Sequence, residues 1–217
     1  MKKIMVAVPT REYIDVDSEK CIRKLERDMW LNKEYQVDVE LMSGTVIHDL
    51  RFAIAELAIK GKYDYILWID SDMIFNSFVL YDLLEADKDI VSAVCFMRRA
   101  PYEPCIYSKL RMGATLEEDQ IEKYLDYPEG VFEVEACGMA MCLMKVVVLE
   151  DIITKTGQPF FPVRSDHRTL GEDLSFCYNA RRAGHKIWAT SKPIVGHIGK
   201  MNVDADSYKA LRRYRNG

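Results

Sequence analysis

The stretch Tyr65-Ile66-Leu67-Trp68-Ile69-Asp70-Ser71-Asp72 carries the strongest structural signal in the chain. Five consecutive apolar residues, β-branched and aromatic among them, describe a strand buried on both faces, as in a parallel sheet covered by helices. The run stops on two aspartates separated by one serine. Side chains two apart at a strand end point the same way, so the two carboxylates leave the sheet together. Like charges held together at a partly dry edge repel unless a cation or a proton joins them.

Outward from this strand the pattern repeats. Ile4 to Val8 is a second apolar run, stopped by Pro9-Thr10. Ser18 is placed to cap a helix whose Cys21, Ile22, Leu25 and Met29 share one face. Val37, Val39 and Leu41 alternate as in a strand. Val46 to Ile59 has helical spacing, with Leu50, Ile54, Leu57 and Ala58 inward and Gly61 after its end. Beyond the aspartates come a helix over 78–84 and an apolar strand over 90–96. Strands alternating with helices predict an α/β, Rossmann-like fold with an open, mostly parallel central sheet flanked by helices. Ligands of such sheets bind at the carboxyl ends of the strands. Past Arg98 the pattern loosens into Pro101, Pro104, an acidic stretch over 117–126 and a strand-like run over 131–143. A helix over 171–183 ends at Gly184, and Ile187-Trp188-Ala189 is a further strand. The organisation is one domain over 1–200 and a basic helical tail over 201–217.

The 217 residues, 49% of them hydrophobic, are enough for a sizeable core. A formal charge of -4 and a pI near 5.7 argue against a nucleic-acid partner. Cys21, Cys95, Cys105, Cys137, Cys142 and Cys177 form no Cys-x-x-Cys pair and mostly sit in apolar stretches, as reduced thiols of a cytoplasmic protein would. No run approaches the length of a membrane span, and the apolar stretch after Lys3 is too short for a signal-peptide core.

The candidate chemistry lies at the predicted strand exits. Asp70 and Asp72 suit a hard divalent cation, Mn²⁺ or Mg²⁺, that can also hold a diphosphate; a polar turn is the plain alternative. His197, between Gly196 and Gly199 on a late loop, can complete a metal shell, and Lys200 suits phosphate; an ordinary loop histidine is the alternative. Glu172 and Asp173 open a helix, where either could take a proton from a hydroxyl or simply favour the helix dipole. Pro9, Thr10 and Arg11 end the first strand, where a nucleotide would lie. Arg51 either pairs with diphosphate or is a solvated helix residue. Gly138, within Glu135-Ala136-Cys137-Gly138-Met139-Ala140-Met141, leaves room for a sugar or marks a bulge. His48, His167 and His185 have no such context.

Four stretches together resemble the GT-A glycosyltransferases, particularly the family-2-type enzymes. They are Tyr63 to Met73, Ala136 to Ala140, Gly171 to Phe176 with Arg182 to Ile187, and His197 to Lys200, in the family's order and running from Tyr63 to Lys200. The resemblance implies a GT-A domain, a nucleotide-diphosphate sugar as donor and Mn²⁺ or Mg²⁺ as cofactor. It makes Asp72 the direct metal ligand, with Asp70 and Ser71 beside ribose or metal water, and His197 an added ligand. Asp173 is similar to the catalytic base of inverting members, with Glu172 its neighbour in that motif, and Arg51 to an arginine contacting the nucleotide. The family's Ala-Arg-Asn is here Leu50-Arg51-Phe52. The Gln-x-x-Arg-Trp motif of processive synthases is missing, so transfer of a single sugar to a glycan, glycoprotein or small-molecule acceptor is expected. The rival functions are a haloacid-dehalogenase-type phosphohydrolase, a GT-A nucleotidyltransferase, or a non-catalytic nucleotide-sugar-binding protein.

Overall fold

The structure, a computed structural model, describes residues 1–30, 32–199 and 209. Lys200, and the tail expected over 201–217 apart from Lys209, lie outside the described residues.

The first half follows the alternation in the sequence: β1 (Lys2–Thr10), α1 (Val16–Trp30), β2 (Tyr35–Ser43), α2 (Ile47–Lys60), β3 (Tyr65–Ile69), β4 (Met73–Phe75), α3 (Val79–Glu85) and β5 (Ile90–Ala93). The second half holds β6 (Ile106–Arg111), β7 (Gln120–Lys123), β8 (Val131–Val134), β9 (Ala136–Cys137), β10 (Met141–Lys145), α4 (Val146–Thr156), α5 (Glu172–Arg182), β11 (Ile187–Thr190) and β12 (Val195–His197). The central sheet has seven strands in the order β2-β1-β3-β10-β5-β11-β8. β1 pairs parallel with β2 and β3, and β5 parallel with β11, while β10 enters antiparallel between β3 and β5 and β8 closes one edge antiparallel. Five of the seven strands therefore share one direction.

Alternation along these strands feeds two cores. On β3, Ile66 and Trp68 face one cluster with Ile54 and Ala58 of α2, Leu149 and Ile152 of α4 and Phe176 of α5. Leu67 and Ile69 face the other, with Ile22, Leu25 and Met29 of α1 and Leu80 and Leu83 of α3. Because helices cover both faces, every residue from Ile66 to Ile69 is buried, which explains the unbroken apolar run.

Four expectations are corrected. α1 begins before Ser18: Asp15 is its cap, accepting the Asp17 N–H at 2.9 Å. Ser18 instead is fully buried on the inner face, where its hydroxyl oxygen accepts the Met73 N–H at 3.3 Å. On α2, Leu57 is 40% exposed and the inward stripe is Leu50, Arg51, Ile54, Ala55 and Ala58. The strand over 90–96 ends at Ala93. The run over 131–143 is three strands in two sheets: β8 and β10 lie in the central sheet, and β9 joins β6 and β7 in a smaller one. Among the described residues no helix is long and apolar enough to cross a membrane.

Candidate active site

The carboxyl ends of β1 and β3 open onto a cleft of about 490 Å³, lined by Pro9, Thr10, Arg11, Arg51, Asp70, Ser71, Asp72 and Glu172 among others. The sequence singled out all eight. Ser71 serves partly through its backbone, whose carbonyl accepts the Asp15 N–H at 2.8 Å and ties the aspartate turn to the start of α1.

β12 delivers His197 to the same place. It pairs antiparallel with β4, setting His197 opposite Met73, and the Ile198 N–H donates to the Asp72 carbonyl at 2.8 Å. Asp70, Asp72 and His197 each offer a ligand atom, and those atoms lie within 4.8 Å of one another. The imidazole is oriented by its other nitrogen: Nδ1 lies 2.9 Å from the Phe96 carbonyl oxygen, which can only accept, so Nδ1 carries a proton and Nε2 faces Asp72 Oδ1 at 3.1 Å. This is how ligating histidines are usually held, with the remote N–H on a carbonyl and the other nitrogen aimed at the ion. Two carboxylates and one imidazole suit Mn²⁺ or Mg²⁺.

Protein cations lie against these carboxylates. The Asp72 hydrogen bond, working against burial, raises the pKa of His197 above its ordinary value. Burial pushes the Asp72 carboxyl up, but His197 and the Arg98 guanidinium outweigh it and hold the carboxyl low. Arg98 Nη1 donates directly to Asp72 Oδ2. Arg98 and Arg99 both line the cleft and escaped the sequence reading. The signal that could have found them is position: they follow the apolar run over 90–96, at the same sheet edge as Asp70.

Arg51 is an interior residue, 2% exposed, so the solvated-helix alternative is excluded. Its Nη2 donates to Asp70 Oδ1 at 2.8 Å and its Nε stands 3.8 Å from Glu172 Oε1. The guanidinium packs over Trp68, 5.4 Å from the ring centroid. Nε and Nη1 are buried without a hydrogen-bond partner within the protein, their charge balanced by Asp70, Glu172 and the Trp68 ring.

Asp173 lies beyond Glu172 in the first turn of α5. Burial, then the neighbouring Glu172 charge, raises its carboxyl to about 6, against the opposing pull of the Leu174 N–H and Arg51. A Cβ on Gly138 would stand 3.8 Å from Asp173 Oδ2 and a tight 3.3 Å from Cys105 Cβ. Gly138 thus has a packing reason to be glycine, and it is buried apart from the residues that line the cleft, so the room for a sugar expected there is not seen. The remaining histidines are structural: His167 on Asp119, His185 on Asp151, and His48 edge-on to Phe161.

No protein-family profile matches the chain, and no curated protein matches it in sequence. Solved structures do. The chain is similar to A197 from STIV at 16% identity and TM-score 0.61, covering 92% of this chain and 87% of that one. It is also similar to GalNAc-T7, solved with UDP, GalNAc and Mn²⁺, at 10% identity and TM-score 0.58, covering 92% of this chain but 44% of that one. With its mostly parallel, helix-flanked sheet and the order of elements described above, this chain has a GT-A-type glycosyltransferase fold.

Proposed function

We propose that residues 1–200 form a metal-dependent glycosyltransferase domain that moves one sugar from a nucleotide-diphosphate donor to an acceptor hydroxyl with inversion. The observation that carries this reading is the meeting of Asp70, Asp72 and His197 at the carboxyl edge of the sheet, with the imidazole already oriented by Phe96. That a neighbour in fold was solved with UDP, GalNAc and Mn²⁺ supports the choice of donor and ion.

Asp70, Asp72 and His197 would hold Mn²⁺ or Mg²⁺, whose positive charge, when bound, stabilises a departing diphosphate. Pro9, Thr10 and Arg11 form the wall where the nucleoside lies, with Ser71 at the ribose. Arg51 fixes Asp70 and Glu172 relative to each other. Asp173 accepts the proton of the acceptor hydroxyl as the new glycosidic bond forms, and its carboxyl near 6 is suited to a base working at neutral pH.

Calorimetry of UDP, GDP, ADP and dTDP with Mn²⁺ or with chelator tests the assignment. Binding should require the metal and collapse in Asp72→Ala. His197→Ala should weaken metal and nucleotide together while the melting profile stays intact. Equal nucleotide affinity in metal and in chelator would remove the metal from the reading.

A further inference from the structure

Two arginines meet the two metal-site carboxylates, and they are not alike. Arg51 on Asp70 is 2% exposed and locked between Trp68, Asp70 and Glu172. The Arg98 side chain on Asp72 is 55% exposed and makes its pair at the mouth of the cleft. Exposed ion pairs are weak, because water screens them and two side chains must be immobilised to make them. The Arg98 pair is therefore easily exchanged, whereas the Arg51 pair is not.

The backbone under Arg98 is fixed even though its side chain is free to turn. Phe96 and Pro104 form an isolated bridge, and the Met97 N–H donates to the Glu103 carbonyl at 2.9 Å. On the other side Gly199 packs against the Arg98 peptide so closely that an added Cβ would lie 2.4 Å from the Arg98 carbonyl oxygen. The Phe96 carbonyl holds His197. The loop that carries Arg98 is thus built into the metal site, and Arg98 is anchored at its edge.

We propose that Arg98 is a diphosphate-binding side chain which, before metal and donor arrive, rests on the Asp72 carboxylate that the divalent cation must share. The proposal rests on the glycosyltransferase reading and adds a residue and an order of events to it. A divalent cation on Asp72 repels the guanidinium and removes the charge that held it. The released side chain stays in the same cleft, where a nucleotide-sugar presents its diphosphate. A planar guanidinium can bind phosphate oxygens through two parallel N–H bonds, a geometry a lysine cannot reproduce. The same arginine therefore opposes the bare metal and favours the metal with its nucleotide, so that the two ligands assist each other.

The consequence is a pair of effects with opposite signs. Calorimetry on wild type, Arg98→Ala and Arg98→Lys is run first with Mn²⁺ alone. It is then run at saturating Mn²⁺ with whichever of UDP, GDP, ADP and dTDP wild type binds best. Arg98→Ala should bind Mn²⁺ alone about two- to fivefold more tightly, since an exposed competitor has gone. It should bind the nucleoside diphosphate about tenfold more weakly, having lost charge-assisted hydrogen bonds. Arg98→Lys should fall between wild type and Arg98→Ala for the nucleotide. An Arg98→Ala protein with Mn²⁺ affinity unchanged or lowered, or with nucleotide affinity unchanged, overturns the proposal while leaving the glycosyltransferase reading in place. A wild-type protein that binds neither Mn²⁺ nor any of the four nucleotides overturns both.

Discussion

Burial and the Glu172 charge that raise Asp173 to about 6 give this one residue a measurable signature. A base must be ionised to work, so at Mn²⁺ concentrations that keep His197 ligated kcat/KM of wild type should fall as pH drops through about 6, and that limb should vanish in Asp173→Asn. Turnover of that variant should drop by about 10²- to 10⁴-fold with donor affinity nearly kept. Stability runs the other way. A carboxyl whose folded pKa lies above its unfolded value contributes stability that is complete below the unfolded pKa and lost as pH rises through the folded one. Ionised Asp173 therefore costs the native state about 1–3 kcal/mol at neutral pH, and Asp173→Asn should melt at a higher temperature there. If Asp173 served only the dipole at the start of α5, the substitution would lower the melting temperature and spare activity. A less stable, fully active Asp173→Asn would end its assignment as base. At this scale the sequence was legible where chemistry is written as residue type plus position: Asp70, Asp72 and His197 bring ligand atoms within 4.8 Å of one another, and Glu172 lines the same cleft. Arg98 was hidden because an arginine in a loop shows no periodicity, and only the folded chain reveals that it reaches Asp72.

Elements were legible where burial wrote the pattern. β3, covered on both faces, and α1, covered on one, are where the apolar spacing puts them, although Ser18 turned out to be an interior tether and not a cap. The short strands β6 and β7, and the breaks that divide the run over 131–143 into β8, β9 and β10, were not legible. Strands of two to six residues carry little periodicity, and β9 is defined by its partner β6 and not by its own composition. α4 opens on Val146-Val147-Val148, residues that favour strands, yet packing against α2 and α5 makes it helical. The contact between the β12 loop and the loop after β5 is the element-level feature most open to test. Gly199→Ala would press a methyl into the Arg98 carbonyl and push the two segments apart. Since His197 is held by Phe96 across that contact, Mn²⁺ affinity should weaken by about tenfold or more, with a melting temperature close to wild type. Unchanged Mn²⁺ affinity in a folded Gly199→Ala protein would show that the two loops do not position the histidine.

For the whole molecule, the cleft gathers side chains from β1, β3, α2, α5 and the loops after β5 and β12, so a ligand there binds the folded state and not the unfolded chain. Mn²⁺ with a nucleoside diphosphate at about 100 times its dissociation constant should add about 2.7 kcal/mol of stability. In a domain of this size that corresponds to a rise of about 5–10 °C in melting temperature. Differential scanning fluorimetry with Mn²⁺ and nucleotide, and again with chelator, measures it; a shift that survives the chelator would contradict metal-dependent binding. The antiparallel entry of β10 has a consequence of another kind. β5 leaves the sheet and β10 returns to it side by side, with Ser92 opposite Cys142. Everything between them, residues 94–140, is an excursion whose two ends are neighbours, while Asp70, Asp72 and His197 are supplied by chain outside it. Within it Phe96 and Arg98 belong to the site at Asp72 and β8 to the central sheet, so the part open to rewriting in evolution, or to exchange in the laboratory, is the connection over 112–119 between the paired strands β6 and β7.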